Sequence, residues 1–535
     1  MIGKILSFLH KNYIDYVFYA LFFCYCMYVS LSVGYWHDEL TWTLMYVHKT
    51  SFFEMLHELT TTIYNLPLYY VFLYIFYMVS DNTEWLRLPS VLATMGAMYY
   101  IQKLVSEYYG KIYKIAVWII FCCAPIVLFI SLRVRPYAFM LFFSAYSFYL
   151  YYKRLDNLNA KNIIKYGISL TFLTYSHWYG GLMVASYGLM DLYYFMNKKL
   201  NIKFILSYFI CFFLFLPWLI LLLLNHKYDF LSYWGRSESY LYFIQLIYNV
   251  LGNKLVSVLA ICALFMFFKK TKTEKGYFSP YVFSIFSIFF IWTISWLYSV
   301  INPKGSITEI RYFFVFIPQL IVLVVAFIAK INTHNIKLIC RKFNQTTLIT
   351  FMIIGMLSLY ALYNYLYFSS NDLKYEFSGY KELLDQYKKD AEKNKTLIWF
   401  YSLNFLSVYN LNNADVISYQ VKDNYNATFF SEYKNIDDKN KYFDTLNKIK
   451  HMPCEYGVKY ILDVNQLRLY NNYVQGKEDT SLSKINVCEY DIIYVEYKTL
   501  LVPYIKTFLE QYYDISEMKL KNEKEIDIYK FVRKK

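Results

Sequence analysis

The sequence predicts a polytopic α-helical membrane protein carrying a C-terminal α/β domain. Three observations carry this expectation. Of 535 residues, 58% are hydrophobic and only 17% charged, more apolar mass than a soluble core can hide. Apolar runs recur from the N-terminus to about residue 368, each near the roughly 20 residues needed to cross about 30 Å of hydrocarbon. Residues 369–535 are polar, Lys-rich and free of such a run.

Apolar segments lie near residues 14–34, 63–80, 87–104, 113–131, 135–152, 162–178, 180–196, 203–224, 243–268, 280–301, 312–329 and 346–368. Several open at a proline, Pro67, Pro89, Pro136 and Pro318, a residue tolerated in a first helical turn. No small-residue cleavage site follows the run from Ile14 to Gly34, so it reads as a span and not a removable signal. Lys4, His10 and Lys11 precede it and predict a cytoplasmic N-terminus with Asp38 outside, in a cell (plasma or inner) membrane. Cationic loops at Lys153, Arg154, Lys161 and Lys165, at Lys198, Lys199 and Lys203, at Lys269 to Lys275, and at Lys330 to Lys342 then predict inward positions. Simple alternation from residue 153 places His177, the loops at 225–240 and 302–311, and the tail outside. The four segments between 63 and 152 give the wrong parity, so one of them is expected not to cross, leaving about 11 transmembrane helices.

The expected domains are a membrane domain over 1–368, with an outward first loop at 35–62, and an extracytoplasmic α/β domain over 369–535. Within the loop, Leu44, Val47, Phe52, Met55, Leu56 and Leu59 form a broken helical stripe suited to the membrane surface. In the tail, strand-like runs at 396–401, 415–419, 460–464 and 492–495 alternate with helical stretches near 378–393 and 501–513. The formal net charge of +15 is spread over short loops, which fits membrane orientation and excludes a nucleic-acid reading. The tail has no Gly-rich phosphate loop. Cys24, Cys26, Cys122, Cys123, Cys211 and Cys262 sit in apolar runs and read as small hydrophobes, whereas Cys454 and Cys488 lie in the tail. An outside tail allows these two a disulfide, and free thiols fit equally well.

Five motifs carry candidate chemistry. Trp36-His37-Asp38-Glu39-Leu40 follows the first span, where a carboxylate serves as a general base or cation ligand, or simply caps the next helix. Asn65-Leu66-Pro67-Leu68-Tyr69-Tyr70 opens the next run. Arg133-Val134-Arg135-Pro136-Tyr137 offers guanidinium forks for phosphate oxygens, or an anchor for helix ends. Ser176-His177-Trp178-Tyr179-Gly180 holds a histidine for substrate, metal or packing, and Glu309-Ile310-Arg311-Tyr312 a further arginine for phosphate or for Glu309.

In order and spacing these elements, with Arg87-Leu88-Pro89-Ser90, resemble the family 39 glycosyltransferases of the GT-C fold, the group of protein O-mannosyltransferases and the lipid A aminoarabinose transferase. The resemblance covers roughly residues 10–330. Asn65 and Leu66 stand where the family has His and Pro, which puts a metal requirement in doubt. It implies transfer of a sugar, hexosyl or mannosyl, from a polyprenyl-phosphate donor to an extracytoplasmic protein, lipid or glycan acceptor. Asp38 and Glu39 are the implied catalytic carboxylates, Arg135 and Arg311 the donor-phosphate ligands, and His37, Asn65, Tyr69, Tyr137 and His177 substrate-binding residues. The resemblance makes no cofactor certain and leaves a divalent metal open; where one binds, it falls to Asp38 and His177. The competing readings are a transporter or flippase of lipid-linked sugars and an anchor for the tail. Candidate charges at segment ends favour an enzyme over a transporter.

Overall fold

The computed structural model describes residues 2–31, 39, 43–47, 51–61, 65–80, 82–225, 239–251, 254–265, 277–301, 307–334, 386–387, 389–400, 415–418, 455–461, 483–486, 490–497, 509–518 and 527–534. The chain divides into two compact units, residues 1–31 with 50–371, and residues 32–49 with 372–535.

The first unit is helical. Its elements are α1 (Ile2–Ser30), α2 (Phe52–Thr61), α3 (Leu68–Tyr77), α4 (Thr83–Tyr108), α5 (Lys114–Cys123), α6 (Pro125–Ser131), α7 (Tyr137–Asp156), α8 (Ala160–Ser176), α9 (Trp178–Met196), α10 (Ile205–Asn225), α11 (Tyr242–Leu251), α12 (Lys254–Phe265), α13 (Pro280–Ile301), a 3-10 turn over Ile310–Phe316, and α14 (Ile317–His334). Among the described residues, Ile202–Asn225, Pro280–Ile301 and Ile310–Ala329 are long and apolar enough to cross a membrane, and Asp15–Ser30, Leu68–Tyr77 and Tyr242–Leu251 are shorter apolar stretches. The expected run at 346–368 lies outside the described residues.

Local chemistry sets several boundaries. The expected single run at 113–131 is two helices, because Ala124 is extended ahead of Pro125; proline disfavours helical backbone in the residue before it. The expected start at Pro89 moves back to Thr83, with Pro89 inside α4. Pro136 stands at the N-cap of α7, and Asn159 caps α8 by accepting the Asn162 N–H at 2.9 Å. At Gly167 a Cβ would lie 2.9 Å from both Ile210 and the Ser207 carbonyl, so glycine lets α8 and α10 approach closely. Buried hydroxyls turn back onto their own helices, as Ser284 does to Pro280 and Ser295 to Ile291, both at 2.7 Å; this meets hydrogen-bonding needs without water.

Burial separates lipid-facing from central helices. The most apolar window of Ile202–Asn225 is 22% buried, and that of Ile310–Ala329 is 83% buried. The latter therefore forms the core, helped by Ser144 Oγ donating to the Val315 carbonyl at 2.5 Å. Of the cysteines read as buried, Cys26 and Cys211 are buried, whereas Cys24 and Cys262 are exposed; a thiol costs little against hydrocarbon.

The second unit contains a seven-stranded sheet in the order β4-β3-β2-β1-β5-β7-β6. The strands are β1 Thr396–Phe400, β2 Asp415–Ser418, β3 Glu455–Ile461, β4 Ser483–Asn486, β5 Ile492–Tyr497, β6 Tyr513–Met518 and β7 Asp527–Arg533. β1 runs parallel to β2 and β5, with Ile398 opposite Val416 and Tyr494, and the other pairings are antiparallel. Asp390 accepts from Lys530 and from the Tyr494 hydroxyl. Most of 378–393 and 501–513, together with Cys454 and Cys488, lies outside the described residues.

Candidate functional site

Three motifs separated in sequence meet in the first unit. Arg135 comes from the loop into α7 and Tyr137 from that helix's first position, His177 from the joint of α8 and α9, and Arg311 and Tyr312 from the 3-10 turn before α14.

His177 is the hinge of this arrangement. It is extended, with φ −165° and ψ 149°, and both ends α8 and caps α9. Its Nδ1 accepts the Tyr179 N–H at 3.2 Å. Gly180 makes the joint possible: a Cβ there would fall 2.0 Å from the Leu173 carbonyl oxygen. Around the imidazole stand Tyr137, Tyr179 and Tyr312, at centroid distances of 5.9, 5.9 and 5.3 Å. Tyr179 is held by its hydroxyl on the Ile307 carbonyl.

Burial and nearby charge fix the ring's protonation. Burial, then Arg135, then Arg311, pull the His177 pKa from 6.5 down to about 3, because each disfavours a further positive charge. A neutral ring whose Nδ1 accepts a hydrogen bond carries its proton on Nε2. The Arg135 guanidinium carbon lies 5.5 Å from the Tyr137 centroid, with Nη2 3.4 Å from that hydroxyl. The Arg311 guanidinium carbon lies 5.7 Å from the Tyr312 centroid. The assembly thus offers two permanent cations, one neutral N–H donor and a wall of aromatic faces. That set suits an anion joined to a ring that stacks on tyrosine.

A second layer braces the arginine loop. The Ser90 hydroxyl donates to the Arg133 carbonyl at 2.7 Å, so the Tyr69 hydroxyl, 3.0 Å away, donates to Ser90. Arg87 donates to the Ser30 carbonyl at 3.1 Å at the end of α1, and the Arg133 guanidinium lies 4.3 Å from the Phe129 centroid. Asn65 donates to the Tyr70 hydroxyl at 2.7 Å.

His37 and Asp38 lie outside the described residues, and Glu39 is buried and groups with the second unit. Among the described residues no three His, Cys, Asp or Glu side chains gather to hold a metal. Beside Arg135 and Arg311, His177 fits an anion; a divalent cation there would meet two fixed positive charges. Sequence reasoning quoted Ser90, Tyr179 and Tyr312 within motifs without assigning them a role. The signal for the last two was an aromatic within two positions of each nominated residue.

No protein-family model matches the chain, and no curated protein matches it in sequence. Solved structures do resemble it. ArnT from Cupriavidus metallidurans bound to undecaprenyl phosphate superposes with a TM-score of 0.55 at 13% identity, over 97% of this chain and 98% of that one. The same protein in its apo state gives 0.53 at 11% identity, with the same coverage. The chain therefore shares the ArnT fold along nearly its whole length, and with its apolar helices it is a membrane protein.

Proposed function

We propose that this protein is an integral-membrane glycosyltransferase that moves a sugar from a polyprenyl-phosphate carrier to an extracytoplasmic acceptor. The observation that carries the reading is the convergence of Arg135 and Arg311 on a neutral His177, in a chain with the fold of an enzyme solved with undecaprenyl phosphate.

In this reading the acceptor attacks the anomeric carbon and the carbon–oxygen bond to the lipid phosphate breaks. Negative charge grows on the departing phosphate, and two guanidinium groups fixed beside it lower the barrier without reorganising. His177 adds its Nε2 proton as a hydrogen bond and takes none up. Tyr137, Tyr179 and Tyr312 offer faces for the sugar. Asp38 receives the acceptor's proton, with Glu39 in support. Tyr69 acts behind the site, through Ser90, on the loop that carries Arg135. The sidedness follows the cationic loops, with the N-terminus in the cytoplasm and the tail outside.

The test is a transfer assay with purified protein and a radiolabelled polyprenyl-phosphate hexose. Wild type should release lipid phosphate and label an acceptor. Arg135→Ala and Arg311→Ala should each slow turnover about 100-fold, the order lost when a preorganised transition-state partner is removed. Asp38→Asn should slow it about 100-fold or more. Full transfer by both arginine variants refutes the site.

A further inference from the structure

The charges that the site leaves unused lie at the far end of the same helices. Arg154, a loop cation by sequence, is fully buried in an ion pair with Asp191, itself fully buried. Asp191 Oδ2 accepts from Arg154 Nη2 and also from the Tyr208 hydroxyl, the latter at 2.6 Å. The guanidinium carbon lies 4.4 Å from the Tyr166 centroid and 5.3 Å from that of Tyr151. One carboxylate thus ties α7, α9 and α10, while α8 supplies a ring that covers the cation.

Such a pair is a weak source of stability, because desolvating two ions offsets most of their attraction. Its best-attested use is to fix register: a charge that slides from its partner is left alone in low dielectric. Apolar helix faces in hydrocarbon enforce no comparable axial position. A volume filler would also be apolar. Here Arg154 Nε and Nη1, Asp191 Oδ1 and the Tyr151 and Tyr187 hydroxyls have no hydrogen-bond partner among the described residues, a surplus that suits internal water.

The location gives that register a target. α7 starts at Tyr137 beside Arg135, and Arg154 lies about 26 Å further along it at 1.5 Å per residue. α9 starts beside His177, and Asp191 lies about 20 Å along it by the same rise. The two helices therefore carry the site at one end and the ion pair at the other.

We propose that Arg154 and Asp191 are positioning residues: they lock α7 against α9 axially and so hold Arg135, Tyr137 and His177 at the spacing an anion needs. Only the last clause rests on the phosphate reading above.

Hydrogen exchange of ligand-free protein, read by mass spectrometry, tests the lock. Arg154→Met combined with Asp191→Leu removes both charges and keeps most of the volume. Its thermal midpoint should stay near wild type, while amides at 132–140 and 177–184 exchange at least roughly fivefold faster. Unchanged exchange there overturns the proposal, and so does a rise spread evenly over the first unit. Should that variant not fold, Tyr208→Phe removes one tether and keeps the pair. It should give a smaller rise confined to 177–184, and no rise overturns the proposal. In a second arm, vesicles containing a polyprenyl phosphate should slow exchange at both segments in wild type. Absence of that protection refutes the phosphate reading and leaves the register result standing.

Discussion

His177 is neutral because burial, and then Arg135 and Arg311, disfavour its charged form, and this has two measurable consequences. The residue should tolerate replacement by another neutral donor. His177→Gln should keep polyprenyl-phosphate binding within a fewfold of wild type, while His177→Phe should weaken it about tenfold or more, the cost of one hydrogen bond to a charged group. Titrated binding separates the two outcomes. The second consequence is in acid. The unfolded chain takes up a proton at the ordinary value of 6.5, and the folded protein does so only near 3. Between these values the unfolded state binds more protons, so the contribution of His177 is whole above about 6.5 and is lost as pH falls toward 3. Denaturation midpoints should fall more gently across that window in His177→Gln. At this scale sequence reading was partial. Arg135, His177 and Arg311 were nominated by residue type, but Arg154 was misplaced, because a cation near a helix end resembles a loop cation until its partner, Asp191, is seen to face it.

At the scale of elements, hydrophobic runs marked most helices of the first unit, since apolar length is written directly in the chain. What the runs could not show was a break with no change in composition, such as that at Ala124. Length also bears on the parity conflict. α3 has ten residues, about 15 Å of rise against a core of about 30 Å. Were α3 to stay on one face, three of the four segments between 63 and 152 would cross, the parity that the cationic loops call for. Single cysteines at the exposed positions Ser51 and Asn82 should react with an impermeant maleimide from the same face, and one at Lys161 only from the other. The α8–α9 joint yields a sharper prediction. Gly180→Ala forces Cβ onto the Leu173 carbonyl, where backbone rather than a flexible side chain must give way. A loss of about 2 kcal/mol or more is expected, in the range of overpacked sites, read as a lowered midpoint together with lost phosphate binding.

At the scale of the whole molecule, the ordered motifs pointed to a GT-C fold, and the fold shared with ArnT agrees with that expectation although no family model matches the chain. The tail was less legible. Three of its strands, β1, β2 and β5, were anticipated, β3 begins five residues ahead of the run expected at 460–464, and β4, β6 and β7 were not anticipated; β4 and β6 are the edge strands, where polar positions carry little hydrophobic signal. One feature of the membrane unit sets how the protein must be handled. Ile202–Asn225 leaves most of its surface uncovered, and its helical length of about 36 Å exceeds a typical acyl layer by about 6 Å. The host lipid is therefore a structural neighbour of α10, which must lean over as chains shorten. Tyr208 lies on that helix and grips Asp191, so reconstitution into a series of phosphatidylcholines of decreasing chain length should erode turnover stepwise, with no change to the polypeptide.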